Sequence, residues 1–248
     1  MPLENKSLSW LIYFLFSGYG FENALNFFKT YEIDTLTCVE NVHELFVTVQ
    51  NLYNQELRLS IENDIKEGHL PWKGNPTYYN YLIINGTKLY DIFENYRNTI
   101  LPVIVKNEHF DAFKEICIYA GKGKGNRKFQ HILLGKKLHN ELLLKKIGGK
   151  FEKIIDIWDK GQGLVVLHLF AETTHHEAHA REFALIKALK FINYNTNVIN
   201  GTPYGSMLTK WNSKEILNYG NILIYNALKM CISENPRLIM SDDVNRLI

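Results

Sequence analysis

The sequence predicts an α+β fold, in which helices pack on a sheet of few strands and a small all-helical segment precedes it. Three observations lead there. Runs rich in β-branched and aromatic residues are short and far apart, at 77–84, 115–120 and 164–170. Between and after them lie stretches whose apolar residues recur at helical spacing. Residues 9–68 carry helical spacing alone, interrupted by short turns at Ser17-Gly-Tyr-Gly20 and Tyr31-Glu-Ile-Asp-Thr35. The resulting order of strand, strand, helix, helix, strand, helix suits a small sheet flanked by helices.

Taken in order, Trp10–Phe16 is strongly apolar but far shorter than the ~20 residues needed to span a bilayer, so it reads as a core helix. Trp10-Leu11, then Ala24–Phe28 with Glu32-Ile33-Asp34, then a closing helix over Leu57–Glu67, follow an order that resembles a sterile alpha motif (SAM) domain. Two prolines and two glycines punctuate Gly68–Pro76, which marks a linker. The expected organisation is a helical domain over 1–70, a linker at 71–76, an α+β domain over 77–235 and a tail from 236 to 248. In the second domain, Thr77–Ile84 is the first strand, bounded by Pro76 and Asn85-Gly86. A second strand over Glu115–Ala120 meets a glycine-rich turn at Gly121–Gly125, and something must be inserted between these two strands. Helices follow at Asn126–Lys137 and Phe151–Lys160, and Gly161-Gln-Gly163 stops the latter before a third strand, Leu164–Phe170. Thr174-His-His-Glu177 has capping-box form and opens a helix to Leu189, and a last amphipathic helix spans Ser213–Cys231.

The chain's 248 residues are enough for one large domain or a medium domain plus a small one. Cys38, Cys117 and Cys231 are scattered, without a C-x-x-C pair, which speaks against a disulfide framework or zinc finger and for a reducing intracellular setting, nucleus or cytoplasm. Charge is divided unevenly. Residues 1–70 hold ten Asp/Glu against four Lys/Arg, whereas 114–153 hold eleven Lys/Arg against three Glu. A polyanion partner is therefore expected for the second region only.

Glu182 interrupts an apolar helical stripe formed with Ala178, Leu185 and Ile186. A carboxylate there needs compensation, either from a divalent cation or from a salt bridge to Arg181 or Lys187. Glu177 is explained by the capping box. His175 and His179 share a helical face, but no H-E-x-x-H pattern and no third ligand accompany them, so a zinc site is disfavoured. Gly121–Gly125 lacks the G-K-[ST] ending of a Walker loop. Arg127 and His131, four residues apart, point from one helical face toward whatever the turn binds. Tyr81 and Tyr119 lie on strands, and Asn197 in a turn-rich loop.

In combination, Tyr79-Asn-Tyr-Leu-Ile-Ile84, Tyr119-Ala-Gly-Lys-Gly-Lys124 with Arg127 and His131, Ile155-Asp-Ile-Trp158, Gly161–Phe170, Glu177-Ala178 with Arg181-Glu182, Thr196-Asn197 and Tyr204-Gly205 occur in the order of the GIY-YIG nuclease superfamily. The chain resembles most the nuclease domain of ankyrin-repeat and LEM-domain endonucleases, over roughly residues 76–232. It departs from the pattern in two places: Tyr79-Asn80-Tyr81 stands for Gly-Ile-Tyr, and Ala120 for the usual Ile. The resemblance implies a metal-dependent endonuclease that hydrolyses DNA phosphodiesters, selectively in branched DNA, and leaves a 5′-phosphate. It implies Tyr81, Tyr119, Arg127, His131, Glu182 and Asn197 as catalytic residues, with Glu182 holding Mg²⁺ or Mn²⁺. Lys122, Lys124 and Lys128 are the expected DNA contacts, and the SAM-like segment a means of self-association or of binding a protein partner. The competing reading is a catalytically weak DNA-binding scaffold.

Overall fold

A computed structural model describes residues 35–94, 107–141, 149–190 and 211–246. The expected α+β class holds: among the described residues, seven α-helices surround a three-stranded antiparallel sheet. They are α1 (Thr35–Lys66), β1 (Tyr78–Asn85), α2 (Gly86–Glu94), α3 (Asn107–Ile116), β2 (Cys117–Lys124), α4 (Arg127–Asn140), α5 (Gly149–Asp159), β3 (Leu164–Thr173), α6 (His175–Lys190) and α7 (Ser213–Glu234), followed by a 3₁₀ turn at Ser241–Arg246.

The sheet order is β2-β1-β3. As the central strand, β1 is buried from Tyr79 onward, so it carries a continuous apolar and aromatic run in place of alternation. Its period-2 side chains serve two cores. Leu82 and Ile84 join the larger one, with α1, α2, α3, α6 and α7; Tyr79, Tyr81 and Ile83 join the smaller one, with Ile132 of α4 and Ile154, Ile157 and Trp158 of α5. The described residues of the insertion between β1 and β2 form α2 and α3, and α3 runs through Ile116, so the second strand begins two residues later than its β-branched composition suggests.

The Gly-Lys run is also different from its sequence reading. Gly121–Lys124 continues β2 opposite Tyr78–Tyr81, and the turn is confined to Gly125, at φ 56°, and Asn126. Glycine is needed inside this strand because a Cβ at Gly121 would lie 2.6 Å from Tyr119 Cε1 and 2.8 Å from Tyr81 Cζ and Oη.

The core does not stop at the Gly68–Pro76 linker. Leu57 and Ile61 of α1 are buried in the larger core. Asn54 Oδ1 accepts hydrogen bonds from Tyr219 Oη at 2.6 Å and Arg181 Nε at 3.3 Å, and Arg58 Nε donates to Glu177 Oε1 at 3.3 Å. Helix α1 is thereby fastened to α6 and α7. Residues 1–34, which carry most of the SAM-like pattern, lie outside the described residues. At the other end the tail docks: Ile239 exchanges backbone hydrogen bonds with Leu164 at 2.7 and 3.0 Å, and Val244 is buried. Helices α6 and α7 approach closely at Gly220, where a Cβ would be 2.2 Å from Ala184 O. Among the described residues no helix is long and apolar enough to cross a membrane.

Candidate active site

The site forms where the free edge of β2 meets α4 on one side and α6 on the other. Tyr81 and Gly121 are register partners across β1 and β2, and the side chain missing from Gly121 leaves room for the tyrosine rings. Tyr81 is 1% exposed, its ring centroid 5.9 Å from that of Tyr119 and tilted against it. Burial, then the Tyr119 charge, holds the Tyr81 hydroxyl far above the usual phenol range. Burial and then the Glu182 charge also raise Tyr119, while the neighbouring Tyr81 hydroxyl and the Arg127 guanidinium pull in the other direction. Tyr119, half-buried, is the member of the pair that solvent reaches.

The first motif's departures have local reasons. Tyr79 Oη donates to Gly125 O at 2.6 Å and accepts from Lys128 N–H at 3.1 Å. It thus satisfies one of the exposed donors at the start of α4, where Asn126 makes no side-chain cap. Asn80 is buried, and its Nδ2 donates to Ala178 O at 2.8 Å, which ties β1 to the first turns of α6.

Arg127 opens α4, exposed, with Nη1 donating to Gln130 Oε1 at 3.2 Å. Its charge contributes to the shifts of Tyr81, Tyr119, Lys122, His131, Lys150 and Glu182, which marks it as the centre of the cluster. His131 sits one turn along, its ring 4.8 Å from Tyr119. Burial, then Lys150 and Arg127, depress its pKa to about 4, so it is neutral near pH 7.

Glu182 does not pair with either cation its sequence neighbourhood offered. Arg181 binds Glu177 at 3.4 Å, and the Lys187 ammonium lies over the Phe183 ring. Instead Glu182 Oε1 accepts the Lys122 N–H at 3.2 Å, a donor on the sheet edge, and Oε2 faces His179 Nδ1 at 3.8 Å. Burial raises its pKa in spite of Lys122 and Arg127. A carboxylate that is 16% exposed, with one oxygen held by a backbone N–H and the other facing an imidazole, suits a hard divalent cation completed by water and phosphate oxygens. Glu177 keeps its capping role: its carboxylate accepts from Thr174 N and Oγ1 at 2.9 and 2.8 Å.

The lysines separate. Lys122 belongs to the site through Glu182, and Lys124 is exposed at the strand end. Lys128 Nζ is 3.3 Å from His168 Nδ1, and its ammonium lies over the Tyr79 and Phe129 rings. Asn197 lies outside the described residues. His175 and His179 meet edge to face at 4.5 Å, and among the described residues no group of three or more His, Cys, Asp or Glu is placed to hold a metal. Sequence reasoning missed Lys150, whose Nζ is 4.3 Å above the Tyr119 ring and 3.5 Å from His131 Nε2. No local pattern in the basic 145–153 stretch distinguishes this lysine; only the packing of α5 beside β2 does.

A phosphodiester presents an anion to be neutralised and a bond to be polarised, and this small sheet gathers the cations and the carboxylate for both along one edge. The class so defined is a nuclease domain of GIY-YIG type. A family model described as the LEM-3-like GIY-YIG domain matches residues 78–246, and the chain belongs to that family. Ankyrin repeat and LEM domain-containing protein 1 of Mus musculus is 29% identical over 137 residues, 55% of this chain and 25% of that protein. Its Homo sapiens counterpart is 30% identical over 139 residues, 55% of this chain and 22% of that protein. A Caenorhabditis elegans homolog is 29% identical over 146 residues, 58% of this chain and 20% of that protein. The matches thus cover no more than a quarter of the length of these curated relatives. No solved structure matches.

Proposed function

We propose that this chain is a metal-dependent endonuclease that hydrolyses DNA phosphodiester bonds, selectively in branched DNA, and leaves a 5′-phosphate. The observation that carries the reading is the convergence of Tyr81, Tyr119, Arg127, His131 and Glu182, from β1, β2, α4 and α6, on one edge of the sheet. Glu182 would hold a Mg²⁺ or Mn²⁺ ion, which when bound supplies Lewis-acid stabilisation of the leaving 3′-oxygen.

The chain's own groups divide the remaining work. Tyr119, packed against the ring of buried Tyr81, orients the attacking water at its hydroxyl. Arg127 donates to the non-bridging oxygens as charge develops, an effect commonly worth ~3 kcal/mol of barrier for one donor. His131, kept neutral, accepts a proton. Lys150 holds the phosphate end of the site positive, and burial together with its ammonium, 3.5 Å from His131 Nε2, keeps the imidazole neutral and ready to take the proton. Lys122 and Lys124 contact the DNA backbone, which confers affinity with little sequence preference. Asn197 positions a water or the loop that carries it. The helical N-terminal segment supports association, and the setting is intracellular, nuclear or cytoplasmic.

The test is cleavage of flap, junction and linear DNA with Mg²⁺ or Mn²⁺ by the wild type and by Glu182→Gln. Equal cutting by the two sinks the assignment. Salt-sensitive binding without turnover in either points to a scaffold.

A further inference from the structure

Resting on the reading that Glu182 holds the catalytic cation, we propose that His179 is a second protein ligand to that ion, and that the site therefore takes Mn²⁺ in preference to Mg²⁺. Three features of the geometry carry this.

The first is placement. His179 and Glu182 are three residues apart on α6 and so share a face, with Nδ1 and Oε2 3.8 Å apart. Two donors bonded at about 2.0–2.2 Å to one ion stand ~3 Å apart at a right angle and just under 4 Å at wider angles. An ion is therefore shared with only a small movement of either side chain.

The second is orientation. Glu182 Oε1 is occupied by the Lys122 N–H, which leaves Oε2 turned to the histidine. The His179 side chain is 18% exposed and is braced by the His175 ring at 4.5 Å, which in turn meets the Tyr78 ring at 5.0 Å. Such outer contacts hold ligands at an angle and commonly change metal affinity by ~10–100-fold when removed.

The third is the donor set. One imidazole nitrogen and one carboxylate oxygen leave the other positions to water and phosphate oxygens, as an open catalytic site requires. Mn²⁺, a larger first-row ion, tolerates one nitrogen among oxygen donors, whereas Mg²⁺ demands near-ideal oxygen geometry and gives up its waters reluctantly. An all-oxygen site on Glu182 would not discriminate in this way.

The test uses the full chain with Mn²⁺ as the probe, observed by electron paramagnetic resonance, with Mg²⁺ as competitor. We expect one Mn²⁺ per chain, displaced by Mg²⁺ only at ~10-fold or greater excess, with nitrogen modulation of the electron spin echo. Glu182→Gln abolishes binding. His179→Gln weakens Mn²⁺ by ~10-fold or more, removes the nitrogen modulation and brings Mn²⁺ and Mg²⁺ toward parity, whereas His175→Gln retains the modulation. Should His179→Gln fail to fold, wild-type protein labelled with ¹⁵N-histidine must still show the altered modulation of a bound ¹⁵N nucleus. Mn²⁺ bound through Glu182 without nitrogen modulation, or modulation that survives His179→Gln, overturns the inference and leaves the nuclease reading standing. Mn²⁺ binding that ignores Glu182→Gln overturns both.

Discussion

Gly121→Ala tests how far the site depends on the fit between two aromatic rings and a bare strand. The added Cβ would sit 2.6 Å from Tyr119 Cε1 and 2.8 Å from Tyr81 Cζ and Oη. Carbon atoms rest at about 3.5–4.0 Å, so one or both rings must retreat by roughly 1 Å. Tyr81 is 1% exposed and belongs to the smaller core with Ile83 and Ile132, so the movement is transmitted to β1 and α4. Overpacking of this kind costs about 1–3 kcal/mol, and the loss of unfolded-chain freedom offsets less than ~1 kcal/mol of it. A reacting group displaced by ~1 Å commonly loses ~10²-fold in rate. The expected outcome is a folded variant, ~1–2 kcal/mol less stable in urea, that cleaves branched DNA ~100-fold more slowly with Mn²⁺. Cleavage within about threefold of wild type by a variant with the expected stability loss would refute the role given to the tyrosine pair. Unchanged stability would refute the packing geometry itself.

Gly220→Ala places a Cβ 2.2 Å from the Ala184 carbonyl oxygen and 2.8 Å from Ala188 Cβ, against backbone that cannot yield, so α6 and α7 must part. A loss of ~2 kcal/mol or more and a melting temperature lowered by ~5 °C or more are expected in thermal unfolding. Glu177 is pushed up by burial but carried below the ordinary carboxylate range by Thr174, Arg181 and Arg58, so its stabilising contribution is present above the unfolded pKa near ~4.3 and lost as pH falls through the folded value. Glu177→Ala, which strands Arg181 at 3% exposure, should cost about 3 kcal/mol near pH 7 and flatten the acid limb of a stability–pH curve. Burial and then Lys150 depress His131 to about 4. Lys150→Met should therefore shift the acid limb of kcat/KM upward in pH, while Lys150→Arg keeps it near its original place.

The element types were readable because their causes are local. Thr174 and Glu177 cap α6 within one turn, and β-branched and aromatic runs made β1 and β3 recognisable. The Gly-Lys run misled for a definite reason. Glycines in a basic run suggest a turn on composition, but Gly121 is small to admit Tyr81, from a strand some 40 residues away, and Tyr119, two residues back on the same face, while Gly123 makes room for Arg127 and the Tyr79 hydroxyl. Helix α1 belongs to the acidic part of the chain, yet Leu57 and Ile61 bury it in one core with Ile116, Cys117 and Ala120 of the basic stretch.

From sequence alone the order of elements could be read, and Tyr81, Tyr119, Arg127, His131, Glu182 and Asn197 stood as candidates through the resemblance to the GIY-YIG superfamily. Tertiary structure alone decided what surrounds them. Lys150 meets Tyr119 and His131 because α5 packs beside β2, and Glu182 is left to His179 and the Lys122 N–H because Arg181 turns to Glu177. Charges separated along the chain interact through the low-dielectric gap that folding creates, and nothing in their linear order specifies which of them will share it.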